Sequence, residues 1–390
     1  MGDRDPDVLS ARTVASIGAV PAAAWDACAG AANPFVAHAF LAALEDSKSV
    51  AARAGWNPRH VVVEDAGGAI AAVAPLYVKT HSQGEYVFDH GWADAFERAG
   101  GAYYPKLQVA VPFTPVPGPR LLVRPGPDAP ALRRALARAL IDIAEQAGVS
   151  SLHVTFADEP DRAALADTGL LIRDGYQYHW ANPGYASFED FLGALKAAKR
   201  KLIRRERRAV ADAGITIAVL TGAELRPAHW DAFFAFYQDT GGRKWGRPYL
   251  TRAFFDRIGQ TMADRVALVL ATHDGHPVAG ALNMIGTDAL YGRYWGCLED
   301  HRFLHFEACY YRAIDFAIEH RLARVEAGAQ GEHKLARGYL PRATWSGHWI
   351  AHPGFRVAVA DFLARERAQV AFEIRALSER HSPYRAAGGS

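Results

Sequence analysis

The chain has 390 residues, half of them apolar and 22% charged, with 35 glycines, 21 prolines and a formal net charge of +2. That length exceeds what one hydrophobic core usually serves, so two domains are expected; the composition excludes a disordered, collagen-like or coiled-coil chain. The small net charge excludes polyanion binding through the overall field, though not through a local patch. In chain order, residues 59–78 read as two strands joined by a tight turn at 65–68. Residues 130–147 place Leu132, Leu136, Leu140, Ile143 and Ala144 at helical spacing; Gly148 ends this helix, and a strand follows at 151–156. Asn182-Pro183-Gly184 breaks the pattern, and Ser187 then has the form of a helix N-cap, opening helical sequence that stops before Gly214. Strands at 265–271 and 278–285 flank a turn at Asp274-Gly-His-Pro, a third strand follows at 290–296, then a helix at 306–320 and a strand at 324–329. A long amphipathic helix over 355–377 completes the chain.

The two halves repeat this order. Aligning Ile70-Ala-Ala with Val278-Ala-Gly, and Ile141-Asp-Ile-Ala-Glu with Ile314-Asp-Phe-Ala-Ile, implies a duplication with about 35 extra residues in the first copy. The fold class expected is α/β with mixed sheets. Its domains are 1–182, with an inserted segment at about 81–118, and 183–390, opened by a basic helix. Three cysteines, Cys28, Cys297 and Cys309, make no disulfide framework. Neither a signal-peptide core nor a run of roughly 18 apolar residues is present, so a cytoplasmic chain without a membrane span is expected.

Four segments carry candidate chemistry. Residues 196–208 hold eight cations and the single anion Glu206. Lys201, Arg204, Arg205 and Arg208 suit phosphate or RNA contact, while the alternative is a solvated helix with Phe191, Leu195, Leu202 and Ile203 turned inward. At 326–349 a strand gives way to a Gly-rich loop. There Gln330, Glu332, His333, Lys334 and Arg337 can bond a ligand or move a proton, at the strand end where α/β units place ligands. In 291–312 a strand, a loop and a helix start bring Tyr294 and Trp295 before Glu307, which can be a base or merely compensate the helix dipole. Cys297, His301, His305 and Cys309 recur every four residues, but a loop-like stretch runs through them and close CxxC pairs are missing, so no metal is expected. The aromatic and proline-rich insert can wall a groove with Asp89, Tyr104, Lys106 and Arg120, or be an ordered structural excursion. There is no P-loop, GxGxxG after a strand, GxSxG or HExxH, which disfavours ATP hydrolysis, dinucleotide redox, serine-hydrolase and zincin chemistry.

Several segments resemble the FemAB-like group of the GNAT acyltransferase superfamily, the type labelled as predicted N-acyltransferases or peptidoglycan biosynthesis/recognition proteins. They are Asn33-Pro-Phe-Val-Ala-His-Ala-Phe-Leu41, residues 75–89, Tyr103-Tyr-Pro-Lys-Leu107, Val111-Pro-Phe-Thr-Pro115, and Gly328-Ala-Gln-Gly-Glu-His-Lys334 with Arg337-Gly-Tyr. The resemblance implies two tandem GNAT-like domains with a C-terminal helix. For the better-understood relatives it also implies transfer of an aminoacyl group from tRNA to an amine of a cell-wall precursor peptide. The acetyltransferase pyrophosphate loop needs glycines that Asp300-His-Arg-Phe-Leu-His-Phe306 lacks, which disfavours acetyl-CoA. The reading is therefore an N-acyltransferase with no tightly bound cofactor, whose donor is aminoacyl-tRNA or acyl-CoA and whose acceptor is a small-molecule or peptide amine. The alternative is a non-catalytic module that binds a cell-wall or RNA ligand. Glu332 and His333 are the candidates for proton handling, and Lys334 and Arg337 for the donor phosphate or oxyanion. Tyr294 and Trp295 would line the acyl slot, with Gln330, Glu307, Asp89, Tyr104 and Lys106 as further substrate contacts.

Overall fold

The computed structural model describes residues 9–245, 248–328 and 331–385. The chain divides into two compact units, Met1–Gly175 with Thr344–Val370, and Tyr176–Ala343 with Ala371–Ser390. This differs from the expected boundary at 182/183. The division falls inside the strand Leu171–Ala181, so the Asn182-Pro183-Gly184 turn marks the strand's end rather than a linker. Residues 344–370 join the first unit because the strand Leu340–Ile350 pairs antiparallel with Ser151–Ala157, a long-range partnership that no local pattern announces.

In the first unit one antiparallel sheet runs in the order Ser10–Val14, His60–Glu64, Ile70–Ala74, Leu122–Val123. The predicted turn forms, with Gly68 donating to the Asp65 carbonyl at 2.8 Å and the Asp65 carboxylate accepting from the Gly67 and Ala69 amides. The second predicted strand is in fact two. After Pro75, which cannot donate to a ladder, the chain leaves this sheet, and Leu76–Lys79 pairs instead with Trp56–Pro58 and Lys106–Val109. Lys106–Val109 in turn runs parallel to Ser151–Ala157. The predicted helix spans Ala129–Gln146 and buries Leu132, Leu136, Leu140, Ile141 and Ala144 in the unit's core.

In the second unit the strands lie in the order Ile215–Thr221, Val266–His273, His276–Ile285, Ala289–Cys297, Arg324–Glu326, then the end of Leu171–Ala181. All neighbours are antiparallel except Ala289–Cys297 with Arg324–Glu326. Ser187 caps its helix as expected, its hydroxyl accepting from the Asp190 amide at 3.1 Å. That helix stops at Ala194, and a second one, Ala197–Asp212, carries the basic run. The helical stretch 304–319 contains a π-turn over Glu307–Tyr311. The long C-terminal helix is Pro353–Glu379.

Candidate functional site

The site begins with a defect in strand pairing. Leu282 opposes Tyr294, but Asn283 opposes Gly292, so Arg293 is an extra residue that bulges from Ala289–Cys297. The same strand pairs with its parallel neighbour only over Ala289–Tyr291. Beyond Tyr291 the two strands part, and a cavity of about 510 Å³ opens there. Its walls come from the hairpin (Asn283, Gly292, Arg293, Tyr294, Trp295), the π-turn helix (His305, Cys309, Tyr310) and the loop after Arg324–Glu326 (Ala327, Gly331, His333, Lys334).

Two glycines fix this geometry. A Cβ at Gly296 would stand 2.3 Å from the Phe236 carbonyl oxygen, so only glycine lets the helix Pro227–Trp245 pack on this strand. Gly331 has φ +102°, and a Cβ there would lie 2.4 Å from the His333 ring. The residue thus turns the chain into the short helix Glu332–Arg337 and makes room for the imidazole.

His333 Nε2 is 2.9 Å from the Tyr310 hydroxyl, and its ring contacts those of His305, Phe306 and Tyr310. Burial holds its pKa below the ordinary value, with Arg337 and Lys334 acting in the same direction, so the ring is neutral at pH 7. Lys334 is 5% exposed and donates to the carbonyls of Ala327 and Gly328. Burial lowers its ammonium to about 8. A neutral imidazole and a cation at adjacent positions therefore sit on one wall of an aromatic-lined cavity, an arrangement suited to accepting a proton and stabilising an oxyanion.

Tyr294 and Trp295 also line the cavity; the Trp295 and His305 rings are 5.3 Å apart. Arg337 does not line the cavity. It is 4% exposed, pairs through two nitrogens with Glu206 at 2.7 and 3.1 Å, donates to the His333 carbonyl at 2.7 Å and stacks on Phe306. Its guanidinium braces the His333 loop from behind instead of facing a donor phosphate. Glu307 is likewise withdrawn, held by Arg207 at 3.2 Å and Arg312 at 3.0 Å, and burial raises its pKa. Gln330 lies outside the described residues, as does the side chain of Glu332.

Asp89, Tyr104 and Lys106 belong to the first unit, where they form part of a sealed network and not a groove. Lys106 Nζ, with no exposed surface, donates to Ser82 at 2.7 Å, Glu85 at 2.8 Å and Asp89, while the Tyr104 hydroxyl bonds Ser82 at 2.8 Å. Burial alone would raise the Asp89 carboxyl, but Lys106 and His153 beside it hold it below the carboxylate range. Arg120, 1% exposed, spends its guanidinium on the carbonyls of Thr155, Val116 and Pro119.

The basic run is a helix with one sharply charged side. Lys201, Arg204, Arg205 and Arg208 are exposed and none lines the cavity; Arg204 pairs with Glu189, and among the described residues the other three have no ion-pair partner. Glu206, the run's only acid, points inward to Arg337 and Tyr311. Sequence reasoning did not assign Asn283, Arg293, Cys309 or Tyr310 to the site. The bulge and the π-turn that expose them leave no compositional mark, although the four-residue spacing of His305 and Cys309 was visible.

A sequence model of the FemAB-like family, described as peptidoglycan biosynthesis/recognition, matches residues 16–386. The chain belongs to this family. No curated protein matches its sequence. Among solved structures, FemX is 12% identical, with 79% of this chain and 92% of FemX covered at a TM-score of 0.50. L-PGS from Bacillus licheniformis is 11% identical, with 85% and 98% covered at 0.52. The C-terminal domain of a putative lysylphosphatidylglycerol synthetase from Agrobacterium fabrum is 12% identical, with 83% and 90% covered at 0.52. The fold is accordingly α/β with mixed sheets and a C-terminal helix. No helix among the described residues is long and apolar enough to cross a membrane.

Proposed function

We propose that this FemAB-like protein is an N-acyltransferase that joins an activated acyl or aminoacyl ester to an amine inside the second unit's cavity. The observation that carries this reading is the splayed strand pair, which opens a 510 Å³ aromatic slot directly beside His333 and Lys334. The amine nitrogen attacks the ester carbonyl carbon, and neutral His333 accepts the proton that nitrogen loses. The Lys334 ammonium, held by two backbone carbonyls, faces the negative charge that grows on the carbonyl oxygen. Collapse of the tetrahedral species expels the ester oxygen, which takes up the proton His333 carries. Tyr294, Trp295 and Tyr310 hold the acyl group against competing water.

The donor in this reading is aminoacyl-tRNA and the acceptor an amine of a cell-wall precursor peptide. The family's description as peptidoglycan biosynthesis/recognition supports the acceptor. The exposed cations of the helix Ala197–Asp212 support an RNA donor. The test offers charged tRNA and acyl-CoA side by side to purified protein with a peptide amine. Amide product from charged tRNA alone is expected. Product from acyl-CoA alone would overturn the donor, and ligand binding with no product from either would replace the enzyme with a binding module.

A further inference from the structure

We propose that His273, Glu299 and His301 form a divalent transition-metal site, with zinc the best-fitting ion, that ties the loop 298–303 to the end of the strand Val266–His273. Their donor atoms all lie within 4.8 Å of one another. Glu299 Oε2 is 2.7 Å from His301 Nε2 and 3.6 Å from His273 Nδ1, and the two imidazole rings meet edge-on at 4.9 Å. Tetrahedral zinc with nitrogen and oxygen ligands at about 2.0–2.1 Å separates its donors by roughly 3.3 Å. The trio therefore closes on an ion if its donor separations change by no more than about 1.5 Å, in side chains that are 32%, 52% and 19% exposed. That exposure leaves a route of entry and room for water at the remaining position.

The donor set is two imidazoles and one carboxylate, which selects zinc, nickel or copper over magnesium or calcium. Asp274 Oδ2 lies 3.9 Å from His273 Nε2, too far for a hydrogen bond, so the site rests on the three donors alone. The four-residue repeat of Cys297, His301, His305 and Cys309 is a different set and is not gathered: Cys297 Sγ faces Arg243, and His305 lies on Trp295. Only the fold brings His273 to the loop.

The loop leaves the cavity strand after Cys297 and enters the helical stretch bearing His305, Cys309 and Tyr310, with the His301 carbonyl accepting from the Leu304 amide at 3.1 Å. A bound ion would pin the start of that cavity wall. This inference stands independently of the acyl-transfer reading. Untagged full-length protein, stripped with a chelator, is titrated with zinc chloride by calorimetry and with cobalt(II) by visible absorption. One ion per chain is expected, with four-coordinate cobalt bands. Affinity should fall more than ~10-fold in both His273→Ala and Glu299→Gln, whose metal-free melting matches wild type. Absence of saturable zinc binding, or wild-type affinity in both variants, would overturn the site.

Discussion

Each unit keeps a lysine away from water, and the two are held in opposite ways. Lys106 in the first unit is enclosed by Ser82, Glu85 and Asp89, with Tyr103 and His153 completing the network around Asp89. Lys334 in the second has no carboxylate partner among the described residues; two backbone carbonyls hold it at the edge of a cavity. Both regions contain shifted groups: burial raises Glu85 to about 7, as it lowers Lys334 to about 8. A perturbed ionisable group marks function only where a ligand can reach it. The first network is closed by its own counter-charges and holds the segment 80–89 on its sheet. The second is left open, and its chemistry faces outward.

The sharpest way to break this contrast is Lys106→Met. Removing one partner from a buried ion cluster leaves carboxylates uncompensated, so stability should fall by about 3–5 kcal/mol in urea unfolding. Activity per folded molecule should persist. Unchanged stability with lost turnover would move the site to the first unit. Next is Glu206→Gln, which deprives buried Arg337 of its anion. A loss of about 3 kcal/mol is expected, at the low end because Arg337 keeps the His333 carbonyl and Phe306.

The pH profile of transfer sharpens the second half of the comparison. His333 must be neutral to accept a proton, and its pKa is depressed, so activity should rise with pH through a value below the ordinary 6.5. Lys334 must be charged, and its pKa is lowered to about 8, so activity should fall as pH rises through that value, about tenfold per unit. Lys334→Arg, which stays charged, should abolish the alkaline limb alone. If the limb survives that substitution, another group causes it. The smallest effect concerns the helix Ala197–Asp212. Changing Lys201, Arg205 and Arg208 to Gln should flatten the dependence of log K for charged tRNA on log salt by about 2, at roughly 0.7 per phosphate contact. An identical slope would leave the helix a solvated surface.

Much of the fold was legible because it rests on local patterns. The leucine spacing of Ala129–Gln146, the Asp65–Gly68 turn and the Ser187 cap each follow from short-range geometry. The strands that frame the cavity were read within a few residues of Val266–His273, His276–Ile285, Ala289–Cys297 and Arg324–Glu326. What was hidden depends on register and partners. Pro75 divides one apparent strand between two sheets, and the Arg293 bulge shifts which side chains face the cavity. The single acid in a basic run looked incidental until Glu206 met Arg337 from a distant loop. Asp89 and Lys106 read as groove fixtures because composition cannot show that they neutralise each other, nor that Tyr104 is tied to Ser82 in the same network.

The proposed mechanism places amide formation beside His333. Single-turnover transfer from charged tRNA to a peptide amine, by wild type and His333→Ala matched for melting temperature, tests it most directly. A loss of roughly 10²–10⁴-fold in rate is the expected result, the usual contribution of a positioned proton acceptor. Transfer at the wild-type rate by the folded variant would contradict it.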